Sequence, residues 1–170
     1  EKEGEAVMAW QYTPYTIPLI LASGFSFLLA LLIIRRNRRA KEATTISILM
    51  LAVGLWSLAY AMQLASATAG SQLFWNKILI PPVAAAPVLW LLLALQYSGR
   101  DRRLGTRTTL LLFLTPVVTS IFAWSNGLHS LMWKEFLLED AGSFLVESSE
   151  RGLWMWVHIA YSYLMVFIGS

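Results

Sequence analysis

The sequence predicts an all-α protein, a polytopic transmembrane bundle of five helices with a short β-hairpin in its last outer loop. Three observations predict it. The 170-residue chain is 57% hydrophobic and 14% charged, with mean hydropathy +0.59, too apolar for a soluble domain of this length. Its apolar residues gather in five stretches, each near the roughly 20 residues that cross a bilayer. Its charges alternate between the connecting segments. Arg35, Arg36, Arg38, Arg39 and Lys41 follow the first stretch, and Arg100, Arg102, Arg103 and Arg107 lie between the third and fourth, nine of the thirteen Lys and Arg. Glu1, Glu3, Glu5, Glu135, Glu139, Asp140, Glu147 and Glu150, eight of the ten acids, fall in the opposite set. Short Lys/Arg-rich loops stay cytoplasmic, so the N-terminus is expected outside the cell membrane.

The first helix is expected over 17–34, where eighteen residues at about 1.5 Å rise span about 27 Å. Pro18 falls in its first turn, where the missing N–H is harmless. The second runs over 44–66. The third, over 78–97, carries Pro81, Pro82 and Pro87, which predict a kink in its outer half. The fourth runs over 108–124 around Pro116, and the fifth over 153–170. The fifth has no basic flank, so the chain 1–170 reads as the N-terminal part of a single domain of a larger membrane protein.

Trp10, Trp75, Trp124, Trp133, Trp154 and Trp156 sit at or beyond the expected outer helix ends, where indole rings favour the headgroup zone. Trp56 and Trp90 lie near helix centres and read as packing between helices. The outer loop 125–152 is the longest. Within it, Lys134-Glu135-Phe136-Leu137-Leu138 and Ser143-Phe144-Leu145-Val146-Glu147 flank Glu139-Asp140-Ala141-Gly142, a hairpin pattern.

The basic residues are accounted for by topology and nothing resembles a nucleic-acid motif, so nucleic acid is not an expected partner. There is no cysteine, no glycine-rich phosphate loop and no HExxH motif. No acid or lysine lies deep within a helix, which weakens a proton relay or coupled transport site. The only histidines, His129 and His158, make too small a ligand set for a metal, and no cofactor is expected. No catalytic group is expected in this chain.

What remains is a polar and aromatic set at the outer half of the molecule. Trp56, Tyr60 and Gln63 share a face of the second helix by i, i+3 and i, i+4 spacing. Asn76 and Lys77 open the third, Asn126, His129 and Trp133 lie in the loop, and Trp154, His158 and Tyr161 form a stripe on the fifth. Singly, each reads best as an interhelical hydrogen-bond partner worth about 0.6 to 2 kcal/mol. As a converging set, Trp56, Tyr60, Gln63, His129, Trp133, Trp154, His158 and Tyr161 read as candidate ligand contacts in an outward-opening pocket. Neutral His158 is expected to donate to Gln63 or to a ligand, and to respond to protons near pH 6.5.

These residues carry a resemblance. Trp56-x3-Tyr60, Phe74-Trp75, Pro87 with Trp90, and Gln96-Tyr97-Ser98-Gly99-Arg100 are followed by Asn126-x2-His129-x3-Trp133 and Gly152-Leu153-Trp154-x3-His158-x2-Tyr161-Ser162-Tyr163. Their order and spacing resemble the N-terminal seven-transmembrane sensor region of membrane histidine kinases in archaea and bacteria, over about 18–170. The resemblance implies two further helices and then a cytoplasmic output such as PAS and kinase modules. It also implies a Glu where Gln63 stands. The expected function is a membrane-embedded sensor of an extracellular or membrane stimulus that signals to that module. The alternative is a fragment of a multi-pass transporter or channel. Expected partners are the lipid bilayer, an unidentified small-molecule or physical stimulus, the kinase module of the same longer chain, and a second copy as a homodimer. The topology is testable: cysteine placed at Ser143 should react with an impermeant thiol reagent in intact cells, and protection there with labelling at Asn37 reverses the orientation.

Overall fold

The computed structural model describes residues 10–36, 39–100, 105–142 and 144–170. Glu1, Glu3, Glu5, Arg38, Arg102, Arg103 and Ser143, together with the labelling position Asn37, lie outside the described residues. Five helices follow in chain order: α1 Thr16–Arg36, α2 Lys41–Ala65, α3 Ala69–Tyr97, α4 Thr106–Trp124 and α5 Leu153–Gly169. Between α4 and α5 run a 3₁₀ turn, Asn126–Leu128, and two antiparallel strands, β1 Leu137–Asp140 and β2 Leu145–Ser148. The helices α1 to α4 are long and apolar enough to cross a membrane, and α5 is an apolar helix of 17 residues. This is a membrane helix bundle with a small two-stranded sheet.

Helix α3 starts nine residues before the expected 78. Its first turns are polar, so an apolar-run reading stops short of them. Thr68 caps this end: its side chain accepts a hydrogen bond from the Ser71 N–H at 3.3 Å. The helix continues unbroken through Pro81, Pro82 and Pro87. It is also central, packing against α2, α4 and α5, whereas α1 packs on α2.

Small residues set the close approaches. Helix α1 buries Ser23, Ser26 and Ala30, and Gly54 of α2 receives the Phe27 ring so closely that a Cβ there would sit 2.7 Å from it. Hydroxyls within the helices turn back on the carbonyl four residues earlier, as Ser47 does to Ala43 at 2.7 Å and Ser120 to Pro116 at 2.8 Å. These two hydroxyl protons are then kept from the lipid. Large apolar side chains such as Leu21, Phe25, Leu111 and Phe167 stay exposed outward, as a lipid-facing surface requires.

Buried apolar residues form one cluster under the loop between α4 and α5, Ile80, Ala123, Met132 and Trp133, and two between the helices, around Leu89 and Val88. The hairpin pairs Leu137 with Ser148 and Asp140 with Leu145. Its turn uses Gly142 at φ +95, a region costly for other residues. The pairing resumes lower down, where Trp133 opposes Arg151 and the Lys134 N–H donates to Glu150 O at 3.0 Å. One extra residue on the first side separates the two ladders, a bulge that turns the hairpin over the helix ends.

Gly152 enters α5 pressed against the loop. Its N–H donates to Met132 O at 2.9 Å, and a Cβ would collide with the Leu131 carbonyl. Gly152→Ala should therefore lower stability by about 1 to 3 kcal/mol, the usual cost of overpacking. A thermal melt of the purified full-length protein in detergent tests this; an unchanged midpoint contradicts the close packing.

Candidate functional site

The C-terminal end of α2 and the N-terminal end of α3 meet the hairpin through side-chain amides. Leu145 of β2 is the anchor. Its N–H donates to Gln11 Oε1 at 2.8 Å, and its carbonyl accepts from Gln11 Nε2 at 2.8 Å and Gln72 Nε2 at 2.9 Å. Gln11 thus pairs with the free edge of β2 as a neighbouring strand would. Gln11 is itself tied down, its N–H donating to Ala65 O and its Nε2 to Leu64 O, both at 2.8 Å.

Two residues on, the Glu147 carboxylate faces the same helices. Gln63 Nε2 of α2 donates to its Oε2 at 2.7 Å, and Asn76 Nδ2 of α3 donates to the same oxygen at 2.6 Å. One carboxylate therefore joins α2, α3 and β2. Hydrogen bonds to an ionised acceptor are short and roughly twice as strong as neutral ones, and this half-buried carboxylate makes two.

A second polar cluster lies between α4 and α5 around Thr119, which is fully buried. Its hydroxyl donates to Thr115 O at 2.8 Å, and its oxygen accepts from Trp154 Nε1 at 2.9 Å. His158 Nδ1 lies 3.2 Å from the same oxygen, and Ser162 Oγ lies 3.3 Å from His158 Nε2. With the Thr119 proton on Thr115, the ring carries its proton on Nδ1 and accepts from Ser162 on Nε2. Tyr161 does different work. Pro116 has no N–H, so the Leu112 carbonyl four residues back lacks its helical partner, and the Tyr161 hydroxyl donates to it at 2.6 Å.

The loop histidine folds the loop. His129 Nδ1 accepts from the Leu131 N–H at 3.1 Å, which leaves Nε2 to donate to Ser125 Oγ at 3.0 Å. The Asn126 side chain accepts from the N–H groups of Met132 and Trp133 and donates to Trp133 O. The Asn126-x2-His129-x3-Trp133 spacing is thus the spacing of a side-chain-built turn that buries Trp133.

The candidate residues accordingly distribute over several environments. Gln63 joins the hairpin cluster, and Trp154 and His158 join Thr119. Trp133 is core, while His129 and Tyr161 satisfy local and neighbouring backbone or hydroxyl groups. Tyr60 lines a groove of about 470 Å³ with Tyr15, Phe144 and Val146, between the helix ends and the hairpin. Trp56 and His158 line another, of about 760 Å³, with Trp90, Pro87, Trp156 and Ser162. Trp56 at 41% and Trp90 at 42% exposure wall this groove, so the expectation that both fill space between helices is corrected. The groove exists because α2 and α5 both pack on α3 and leave the face between them open. Gln63 and His158 are each satisfied by other partners, Glu147 for the first, Thr119 and Ser162 for the second.

Gln11, Gln72, Thr119 and Glu147 were not singled out as site residues by sequence reasoning. Glu147 counts there only as an outer charge, and its partners stand 84 and 71 residues away. A mid-helix threonine in an apolar run carries no signal until its neighbour helix is known. Thr119→Val should free both Trp154 Nε1 and His158 Nδ1 and lower the unfolding free energy by about 1 to 3 kcal/mol, the cost of unsatisfied buried groups; chemical denaturation in mixed micelles measures it, and a neutral effect contradicts this reading of the cluster.

Comparison with known proteins adds a family. No curated protein and no solved structure matches the chain. A family model described as the N-terminal 7TM region of histidine kinase matches residues 18–170, nearly the whole chain. This protein therefore belongs to the family of N-terminal seven-transmembrane regions of histidine kinases.

Proposed function

We propose that this chain receives a stimulus at its outer end and passes it through α2 and α3 to a cytoplasmic kinase module of the same longer protein. The family membership supports a membrane sensor region of histidine kinases. The observation that carries the finer reading is the single carboxylate of Glu147, bonded at once by Gln63 of α2 and Asn76 of α3. Whatever lifts or tightens the hairpin changes the spacing of those two helices.

The orientation proposed is hairpin outside. Arg35 and Arg36 end α1, Lys41 starts α2, and Arg100 follows α3, all at the bundle end opposite the hairpin. By the positive-inside rule that asymmetry supports a cytoplasmic location for the end away from the hairpin. In this reading the chain transmits and does no chemistry itself. A stimulus acts by its difference in affinity for two helix arrangements. The grooves beside Tyr60 and beside Trp56 and His158 are the places for the apolar part of a ligand, between the outer loop and the lipid.

Full-length kinase in native membranes tests this. Glu147→Ala and Asn76→Ala should each change basal autophosphorylation by about fivefold or more, the range of ordinary allosteric coupling. Lys134→Ala, which removes an exposed ion pair with Glu150, should leave it unchanged. Equal output from all four proteins at equal membrane levels would sink the reading.

A further inference from the structure

The groove walled by Trp56, Trp90 and Trp156 carries a permanent charge at one place only. Arg151 is the single Lys, Arg, Asp or Glu on its lining. The Arg151 backbone pairs with Trp133, which fixes it at the end of the bundle that carries the hairpin. Its side chain is exposed there, and the guanidinium lies 5.6 Å from the centroid of the Trp156 ring. The neighbouring Glu150 is held by Lys134 at 3.0 Å, and no carboxylate pairs with Arg151 among the described residues. A guanidinium stays protonated in a protein, so a cation with unused forked donors stands at the mouth of the groove.

Beyond Arg151 the walls are mainly apolar and follow the helix axes. Helix α3 contributes Val83, Ala86, Pro87 and Trp90, at i, i+3, i+4 and i+7. Helix α5 contributes Met155, Ile159, Ser162 and Val166, at i, i+4, i+7 and i+11. Each set is one stripe of its helix, so the groove is long, and Met155 to Val166 alone spans about 16 Å at about 1.5 Å per residue. The polar pair on this stretch is closed on itself, Ser162 Oγ lying 3.3 Å from His158 Nε2, and His158 Nδ1 stands against Thr119. A polar ligand would find these groups occupied. The volume of about 760 Å³ is that of a small-molecule site. Any lipid tail is as apolar as these walls and gains little by entering. Selectivity therefore comes from Arg151, which favours a chain ending in an anion; one planar guanidinium matches one planar carboxylate.

We propose that this groove binds a single-chain amphiphile with a carboxylate head, a long-chain fatty acid. The carboxylate pairs with Arg151, and the chain lies between α3 and α5 toward Trp90 and Val166. The proposal rests on the groove being a seat for the apolar part of a stimulus and adds the chemistry of its head. Because the chain touches both α3 and α5, its entry acts on the packing of these two helices directly.

The test uses the full-length protein in phosphatidylcholine nanodiscs. The probe is palmitic acid with a diazirine midway along its chain, and labelled peptides are mapped by mass spectrometry after irradiation. Residues 83–90 and 155–166 should be labelled, and unmodified palmitate should displace the label. The alcohol of the same chain should label them about tenfold less, the order expected for losing a hydrogen bond to a charged partner. Arg151→Gln should bring labelling by the acid down to the level of the alcohol, and Arg151→Lys should restore part of it. Should Arg151→Gln fail to fold, Ala86→Phe decides: it fills the groove beneath an intact Arg151 and must cut labelling of 155–166 by a similar factor. Equal labelling by acid and alcohol marks an ordinary lipid contact. No labelling of the groove by either marks a face covered by the rest of the longer chain. Each of these overturns the proposal, as does labelling undiminished in Arg151→Gln or in Ala86→Phe. Kinase output separates this site from the sensor reading. Selective labelling with no effect of palmitate on autophosphorylation leaves the site standing and removes its role as input. A changed output in Glu147→Ala without selective labelling keeps the sensor reading and removes the site.

Discussion

The backbone N–H and carbonyl of Leu145 are where the hairpin end of this molecule is held together. A two-stranded hairpin alone is marginal in water, and its free edge is a row of unpaired donors and acceptors. Here the edge of β2 is closed by the amides of Gln11 and Gln72. Gln11 is anchored on the last turn of α2 and Gln72 projects from the first turn of α3. The short turn between those helices is therefore stitched to a strand more than seventy residues later in the chain. The position of Glu147 follows, because it is two residues along the same strand.

The same accounting of polar groups governs the part within the bilayer, where no water is available to correct an error. A proline in α4 strands the Leu112 carbonyl, and a tyrosine on α5 supplies the missing donor. A threonine on α4 satisfies an indole and stands against an imidazole of α5. These contacts knit two helices that share few other close approaches. They also explain why Thr119, His158 and Tyr161 occupy partnered positions between the two helices.

Much of the architecture was legible from the chain. Apolar runs located five helices, and the alternation of charge grouped their ends. Phe136 to Val146, broken by Ala141-Gly142, announced a hairpin. What escaped notice was long-range pairing and polar helix. The first three turns of α3 contain Gln72, Asn76 and Lys77, which break an apolar pattern while remaining helical, because Thr68 caps the helix and β2 binds Gln72 and Asn76. Tyr161 and His158 were visible as a stripe, yet the stripe's meaning depended on Pro116 and Thr119 of another helix. Trp56 and Trp90 looked like core because helix centres usually are; the open face between α2 and α5 is a property of packing geometry and leaves no trace in either helix alone.

The length of α3 carries a mechanical consequence. Its 29 residues make a rod about 43 Å long, which exceeds a hydrocarbon core of about 30 Å and emerges on at least one side. The rod is gripped at one tip by the hairpin and along its shaft by three other helices. A tilt of about 3° about the gripped tip sweeps the far tip through about 2 Å, the size of helix displacement that working receptors use. A sub-ångström change at the carboxylate thus has leverage built into it, because the lever arm is the membrane's own thickness.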